Sequence, residues 1–109
     1  MSRNVMLLVS RSFSEMGVMR AVLEKFLGDG DVVFVLSEPE WASDLPRAFV
    51  GHSNLDLVLS EANPESVPSV MKLCDAVYLF HKAEDVKFAE RVRHLAAEAR
   101  THLMAVQTP

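Results

Sequence analysis

The chain of 109 residues has a mass of 12.1 kDa, which suits one domain and is too small for two independent hydrophobic cores. Half of its residues are apolar and 24% are charged, and these proportions exclude disordered and low-complexity proteins. Eleven basic residues against fifteen acidic ones give a net charge of −4, and the basic residues form no run. This distribution argues against a nucleic-acid partner, because phosphate neutralisation needs clustered cations.

The first half of the chain predicts two strands, each followed by a helix. The continuous apolar run at residues 4–10 is typical of a strand that is buried on both faces. Apolar residues at helical spacing then predict a helix at 16–27. A second buried strand is predicted at 31–37, and a short helix at 44–50 is expected to end at Gly51.

The second half continues the same alternation. A third strand is predicted at 55–60, a brief helix at 66–73 and a fourth strand at 75–80. The clearest helical pattern runs through 84–100, and a fifth strand at 103–107 completes the series. Buried strands that alternate with helices predict the α/β class, with a parallel sheet between two helical layers.

We therefore expect a single Rossmann-like domain, a three-layer α/β sandwich of five mostly parallel strands. Right-handed crossovers leave two common strand orders, 3-2-1-4-5 of the Rossmann type and 2-1-3-4-5 of the flavodoxin type. The apolar strand residues predicted to form the core are Val5, Leu7, Val9, Val33, Val35, Leu57, Val77, Leu79, Leu103 and Ala105.

Cysteine and histidine usage predicts neither a disulfide nor a metal site. Cys74 is the only cysteine, and its position before a buried strand is typical of a small core residue rather than a nucleophile. The histidines show no metal-ligand spacing. No apolar run approaches the roughly 18 residues of a membrane span, and the apolar stretch near the N-terminus is too short for the signal peptide of a secreted protein, so we expect none. We expect a cytoplasmic protein with no cofactor, no metal and no membrane partner.

Two segments carry a family resemblance. Residues 9–15, Val-Ser-Arg-Ser-Phe-Ser-Glu, are similar to a Gly-Ser-Arg-x-Phe-x-Asp signature, and residues 71–80 are similar to a helix followed by Ala-Asp-x-Val-x-x-Phe. Both motifs occur in the SLOG superfamily of small Rossmann-like proteins, which the chain resembles in element order along nearly its whole length. The resemblance implies the order 3-2-1-4-5, and many members of that superfamily bind nucleotide derivatives.

The ligand loops depart from the family pattern. A glycine-rich loop after the second strand is replaced by residues 37–44, which keep only the final Asp. An Arg-Asn pair is replaced in the region of Ser66, and a Gly-Gly-x-Gly-Thr loop is replaced by residues 81–85. Glycine lets backbone N–H groups approach a phosphate without steric hindrance from a Cβ. Because these loops are lost, we predict that the chain is not an enzyme.

The ends of strands 1 and 4 are the first candidate site. Ligands of open α/β sheets bind where the strand order reverses, at the carboxyl ends of the strands. Three basic and three hydroxyl side chains are expected there: Ser10, Arg11, Ser12, Ser14, His81 and Lys82. They could bind the phosphate of a nucleotide derivative. Against this, residues 12–15 form a capping box in which Glu15 occupies the helix N-terminus, and residues 83–85 add two carboxylates.

The acidic loop after strand 2 is the second candidate site. Glu38 lies where an acidic residue of dinucleotide folds accepts ribose hydroxyls, although the pattern of residues 37–40 favours a well-capped acidic turn that also contains Glu40. Trp41 could anchor a protein partner or fold back over the core. We predict a non-catalytic module that docks on another protein through Glu38, Glu40 and Trp41, as a regulator or inhibitor of a larger assembly. The alternatives are a sensor of a nucleotide derivative, a hydrolase with Glu38 or Glu40 as base, and a homodimer.

Overall fold

The structure is a computed structural model and describes residues 2–36 and 43–109. These residues form strands and helices in alternation: β1 (Asn4–Val9), α1 (Met16–Phe26), β2 (Val32–Leu36), α2 (Leu45–His52), β3 (Val58–Ala62), α3 (Val67–Met71), β4 (Ala76–Lys82), α4 (Val86–Ala99) and β5 (His102–Thr108). None of these helices is long and apolar enough to cross a membrane.

All strands of the sheet are parallel, in the order β3-β2-β1-β4-β5. The α/β class and the Rossmann-like order are therefore confirmed. Val5 lies beside Val33 of β2 on one side and beside Ala76 of β4 on the other. The strand order reverses between β1 and β4, so the residues that follow these two strands meet at the carboxyl edge of the sheet.

The sheet separates two hydrophobic clusters. Val5, Leu7 and Val9 point to the face that carries α1 and α2, whereas Met6 and Leu8 point to the face that carries α3 and α4. Successive side chains alternate across a strand, so a strand between two helical layers must be apolar at every position. This requirement explains why β1 is a continuous apolar run.

Most of the predicted core is buried, but the edge strands differ. Leu57 and Leu103 are half-buried at the periphery of the two clusters. Ala105 was predicted to be in the core and is exposed, so that prediction is wrong. The physical reason is its position on β5, which is an edge strand with β4 as its partner within the described sheet.

Two predicted boundaries also need correction. The helix α2 continues through Gly51 to His52. The strand β3 begins at Val58, later than expected, because the preceding residues form a turn in which Leu55 N–H donates to the Ser53 hydroxyl. The apolar run at 55–60 therefore marks neither the start of the strand nor a buried segment, since Val58 and Leu59 are exposed on an edge strand.

Candidate functional site

Three connections of the chain meet at the carboxyl edge of the sheet. The Ser10 N–H donates to the carbonyl oxygen of Phe80 at 2.9 Å, which prolongs the pairing of β1 with β4. The Ser43 N–H donates to the carbonyl oxygen of Val9 at 2.7 Å, so the chain that follows β2 returns to the end of β1. The end of β1 is thus the centre of the candidate site.

Asp85 links the loop after β1 to the loop after β4. Its Oδ2 accepts hydrogen bonds from the Ser10 hydroxyl at 2.5 Å, the Ser12 hydroxyl at 2.5 Å and the Lys82 N–H at 3.2 Å. Asp85 stands in the N-cap position of α4, yet its side chain makes no capping bond to that helix. The carboxylate binds groups from both loops and draws them together.

Asp85 is ionised at neutral pH. Burial alone would raise its pKa, but the hydrogen bonds from Ser10, Ser12 and the Lys82 N–H and the charge of His81 outweigh burial and lower the pKa below its ordinary value. We name the space around the Asp85 carboxylate, Ser10, Ser12 and Lys82 the strand-end crevice. It carries a fixed negative charge between the two serine hydroxyls.

His81 is buried beside this carboxylate. The residue is 3% exposed, and its Nδ1 lies 2.9 Å from the carbonyl oxygen of Lys82. Nε2 is the other nitrogen of the ring, and its role as donor or acceptor depends on the tautomer. Within residues 2–36 and 43–109, Nε2 has no hydrogen-bond partner.

The six residues predicted for this crevice occupy different surroundings. Ser10 is 1% exposed, and Arg11, Ser12 and Ser14 are exposed. The structure brings Ser10 and Ser12 together on Asp85. Because β4 extends through Lys82, the side chains of His81 and Lys82 alternate to opposite faces of the sheet.

The capping box predicted at residues 12–15 is wrong. The helix α1 begins at Met16 with Glu15 in the N-cap position, and no side chain caps it. The Ser12 hydroxyl donates to Asp85 instead, because an ionised carboxylate is a stronger acceptor than a neutral group. The buried ring of Phe13, 5.7 Å from the ring of Phe80, holds the loop against the sheet.

Sequence reasoning missed the role of Asp85. The carboxylates of residues 83–85 were interpreted only as charges at the start of a helix. A usable signal was present, since Ser10 and Ser12 follow β1, Asp85 follows β4, and the order 3-2-1-4-5 makes these strands neighbours.

Glu38, Glu40 and Trp41 lie outside the described residues. On either side of them, Leu36 ends β2 beside Ala62, and Ser43 is bonded to the end of β1. Both flanking residues are therefore at the carboxyl edge of the sheet.

Neither a reactive thiol nor a cluster of potential metal ligands is found in the described parts of the chain. Cys74 is buried, and burial together with the charge of Asp75 raises the pKa of its thiol to about 11. A thiol with this pKa is protonated at neutral pH and is a poor nucleophile. Among residues 2–36 and 43–109, no cluster of three or more His, Cys, Asp or Glu side chains could hold a metal ion.

Comparison of the chain with protein-family models, with curated proteins and with solved structures finds no match.

Proposed function

We propose that the chain is a non-catalytic binding module that docks on another protein. The observation that supports this most strongly is the hydrogen bonding of the two serine hydroxyls of the strand-end crevice within the protein itself. The hydroxyls of Ser10 and Ser12, which would hold an anionic ligand, both donate to Asp85. A scaffold whose ligand groups bind its own carboxylate is suited to a role other than nucleotide chemistry.

The size of the electrostatic term supports the same proposal. A phosphate within reach of the two hydroxyls would lie about 4 Å from the ionised Asp85, where two unit charges repel by about 4 kcal/mol at an effective dielectric constant near 20. Ser10 and Ser12 would also have to give up the hydrogen bonds that they already donate to the ionised Asp85. A bond to a charged acceptor contributes about 1.5–3 kcal/mol in either case, so transfer of the hydroxyls to a phosphate brings no net gain to offset the repulsion.

The docking surface in this proposal is the acidic segment that carries Glu38, Glu40 and Trp41. Tryptophan is frequent among the residues that dominate binding energy at protein interfaces. The two glutamates would orient a basic partner surface and accelerate its association. The two described residues that flank this segment, Leu36 and Ser43, are both at the carboxyl edge of the sheet.

A pull-down from lysate tests the proposal with the wild type and three variants. A partner recovered by the wild type should be lost with Trp41→Ala and weakened by Glu38→Lys. Leu73→Ala is the matched control, since Leu73 is 69% exposed and its carbonyl oxygen accepts from Asn4 at the amino end of β1, away from the crevice. Equal recovery of every partner by all variants would contradict the proposed role of Trp41.

Binding of a nucleotide derivative is the second candidate function, and one observation favours it. The buried Nε2 of His81 lies among the groups at the strand ends without a hydrogen bond from any described residue. A thermal-shift screen with nucleotides and ADP-ribose tests this candidate, since a ligand at a hundredfold excess over its Kd adds about 2.7 kcal/mol. A shift that Arg11→Ala abolishes would support it, and turnover that Glu38→Ala abolishes would support the hydrolase alternative.

A further inference from the structure

The strand β3 lies at one edge of the described sheet, where β2 is its partner. The Val58 N–H donates to the carbonyl oxygen of Asp31, so the peptide groups of Val58 point toward β2. Peptide groups alternate in direction along a strand, and the N–H and C=O groups of Leu59 and Glu61 therefore point away from β2. Among the described residues, no further strand pairs with them. We name this side of the strand the outer β3 edge.

Two exposed apolar side chains lie on the outer β3 edge. Val58 is 51% exposed and Leu59 is 39% exposed. As consecutive residues of a strand, they point to opposite faces of the sheet. A helix docked on one face would leave the residue of the other face exposed, whereas an added strand would flank both. The other edge strand differs, since Met104 and Val106 of β5 are half-buried.

The features that commonly protect an edge strand from pairing are missing from β3. Such features are Lys or Pro on the strand, a bulge, or a covering element. The strand contains neither Lys nor Pro, and its register with β2 runs without a bulge from Val58 to Ala62. Its one charged residue, Glu61, is paired with the guanidinium of Arg47. In the described part of the chain, the edge is therefore open to a further strand.

Acidic side chains lie at both ends of β3. Asp56 precedes the strand, and its N–H donates to the carboxylate of Asp29, so two exposed acidic residues meet at the amino end. Glu65 is exposed shortly after the carboxyl end. No salt bridge within the described residues neutralises these three carboxylates.

The arginines nearest to β3 are each paired with an acidic residue. The pairs are Arg47 with Glu61, Arg3 with the buried Asp31, and Arg20 with Glu24. Lys72 adjoins Leu73, whose carbonyl oxygen accepts from Asn4 of β1, and β1 is separated from β3 by β2. His52 is exposed at the end of α2. The three acidic residues outside these pairs therefore give the outer β3 edge a negative charge.

We propose that the outer β3 edge binds an extended segment of another protein, which adds a sixth strand to the five-stranded sheet and carries basic residues at its ends. The peptide groups of the segment would bond to those of Leu59 and Glu61. Its apolar side chains would flank Val58 on one face and Leu59 on the other. Because β3 has five residues, the segment needs about five residues in the strand conformation, with Lys or Arg beyond each end.

A second copy of the chain is a poorer occupant because its edge carries the same charges. In a symmetric antiparallel contact, the amino end of one β3 would lie beside the carboxyl end of the other. Asp56 of one protomer would then approach Glu61 and Glu65 of its partner, and like charges on neighbouring strands are unfavourable. The inference rests on the proposed docking function but involves residues other than the acidic segment around Trp41.

Three synthetic peptides test the inference. Each has the central sequence Val-Val-Thr-Val-Val, which matches the five residues of β3 in length and presents apolar side chains on both faces. The first peptide has a pair of Lys residues at each end, and the second has Glu in their place. The third keeps the Lys ends but is N-methylated at the central residues, so it retains the side chains and charges and loses the backbone donors.

Amide hydrogen exchange measured by NMR reports on the edge directly. In the free protein, the amides of Leu59 and Glu61 should exchange faster than those of Val58 and Ser60, which point toward β2. The Lys peptide at tenfold excess over its Kd should slow the exchange of Leu59 and Glu61 by about tenfold. It should bind about tenfold more tightly than the Glu peptide at low salt, and this preference should decrease as salt is added. The N-methylated peptide should have no effect.

Variants of this protein make the test specific. Val58→Lys places a basic residue on the edge and should abolish binding of the Lys peptide. Val86→Lys is the matched control, because it makes the same change at a 53% exposed valine of α4, which packs on β4 and β5. Glu65→Gln removes an exposed charge and should reduce the preference for the Lys peptide about twofold. Circular dichroism checks the fold of each variant, and Glu65→Gln still tests the proposal if Val58→Lys does not fold.

The proposal is overturned if the Lys peptide does not slow the exchange of Leu59 and Glu61 at millimolar concentration. It is also overturned if the Glu or the N-methylated peptide binds equally well, or if Val86→Lys weakens binding as much as Val58→Lys. A dimer in analytical ultracentrifugation, together with slow exchange of these amides in the free protein, would instead assign the edge to a second copy. None of these results would affect the Trp41→Ala pull-down, so the failure of this inference and of the proposed function can be distinguished.

Discussion

Replacement of Asp85 by asparagine isolates the charge that joins the two strand-end loops. The Asp85→Asn side chain keeps the shape of the residue but replaces an ionised acceptor with a neutral amide. A hydrogen bond to a charged group contributes about 1.5–3 kcal/mol and a neutral one about 0.5–1.5 kcal/mol, so each bond weakens by about 1 kcal/mol. Ser10 is buried and should contribute its full share, whereas the exposed Ser12 contributes less.

We therefore expect Asp85→Asn to lower the free energy of unfolding by about 1–3 kcal/mol at pH 7. For a domain of this size, that corresponds to a decrease in Tm of roughly 4–12 °C. Urea denaturation followed by circular dichroism measures the difference. Glu84→Gln, at the exposed neighbouring carboxylate, is the control and should change the free energy by less than about 0.5 kcal/mol.

The pH dependence gives a second, independent readout. The pKa of Asp85 is lower in the folded state than in the unfolded state. The ionised carboxylate therefore stabilises the folded state above the unfolded pKa of about 3.9, and this stabilisation is lost as pH falls through the folded pKa. The difference in the free energy of unfolding between the wild type and Asp85→Asn should therefore become smaller as pH is lowered from 7 to 2.5. Equal free energies of unfolding for the two proteins at pH 7, or a difference between them that stays constant with pH, would show that the charge of Asp85 does not stabilise the fold.

Two further predictions concern Cys74 and the backbone. Iodoacetamide at pH 8 should modify Cys74 only after unfolding in urea, because burial raises the pKa of the thiol to about 11, and rapid modification of the native protein would contradict this. Arg100 has a φ of 54° and Gly30 a φ of 87°, a left-handed conformation that only glycine adopts without strain. Arg100→Gly should therefore raise the free energy of unfolding by about 0.5–1 kcal/mol, and Gly30→Ala should lower it by about 1 kcal/mol. Thermal unfolding checks both, and effects of the same sign would show that backbone strain is not the cause.

The features that were predictable from sequence depend on local patterns. A strand between two helical layers must be apolar throughout, so runs such as residues 4–10 identify their elements without knowledge of the fold. The strand order came from the family resemblance, since residue patterns alone left two orders open. Ala105 shows the limit of this reasoning, because its apolar character alone assigned it to the core although both strand orders considered place strand 5 at the edge of the sheet.

The candidate site was less predictable because it depends on contacts between distant residues. The hydrogen bond from Ser10 to Asp85 joins residues 75 positions apart, and no local pattern encodes such a pair. The fourth strand was predicted to end at Phe80, whereas β4 continues through Lys82. That difference of two residues concealed the alternation that separates the side chains of His81 and Lys82.

In the proposed function, Asp85 closes the strand-end crevice to anionic nucleotide derivatives. An NMR titration of labelled protein with ADP-ribose tests it most directly, because the amide signals of Ser10, Ser12 and Lys82 report on the crevice itself. We expect these signals to stay unchanged up to millimolar ADP-ribose in the wild type. Saturable shifts of the same amides in the wild-type protein would contradict the claim.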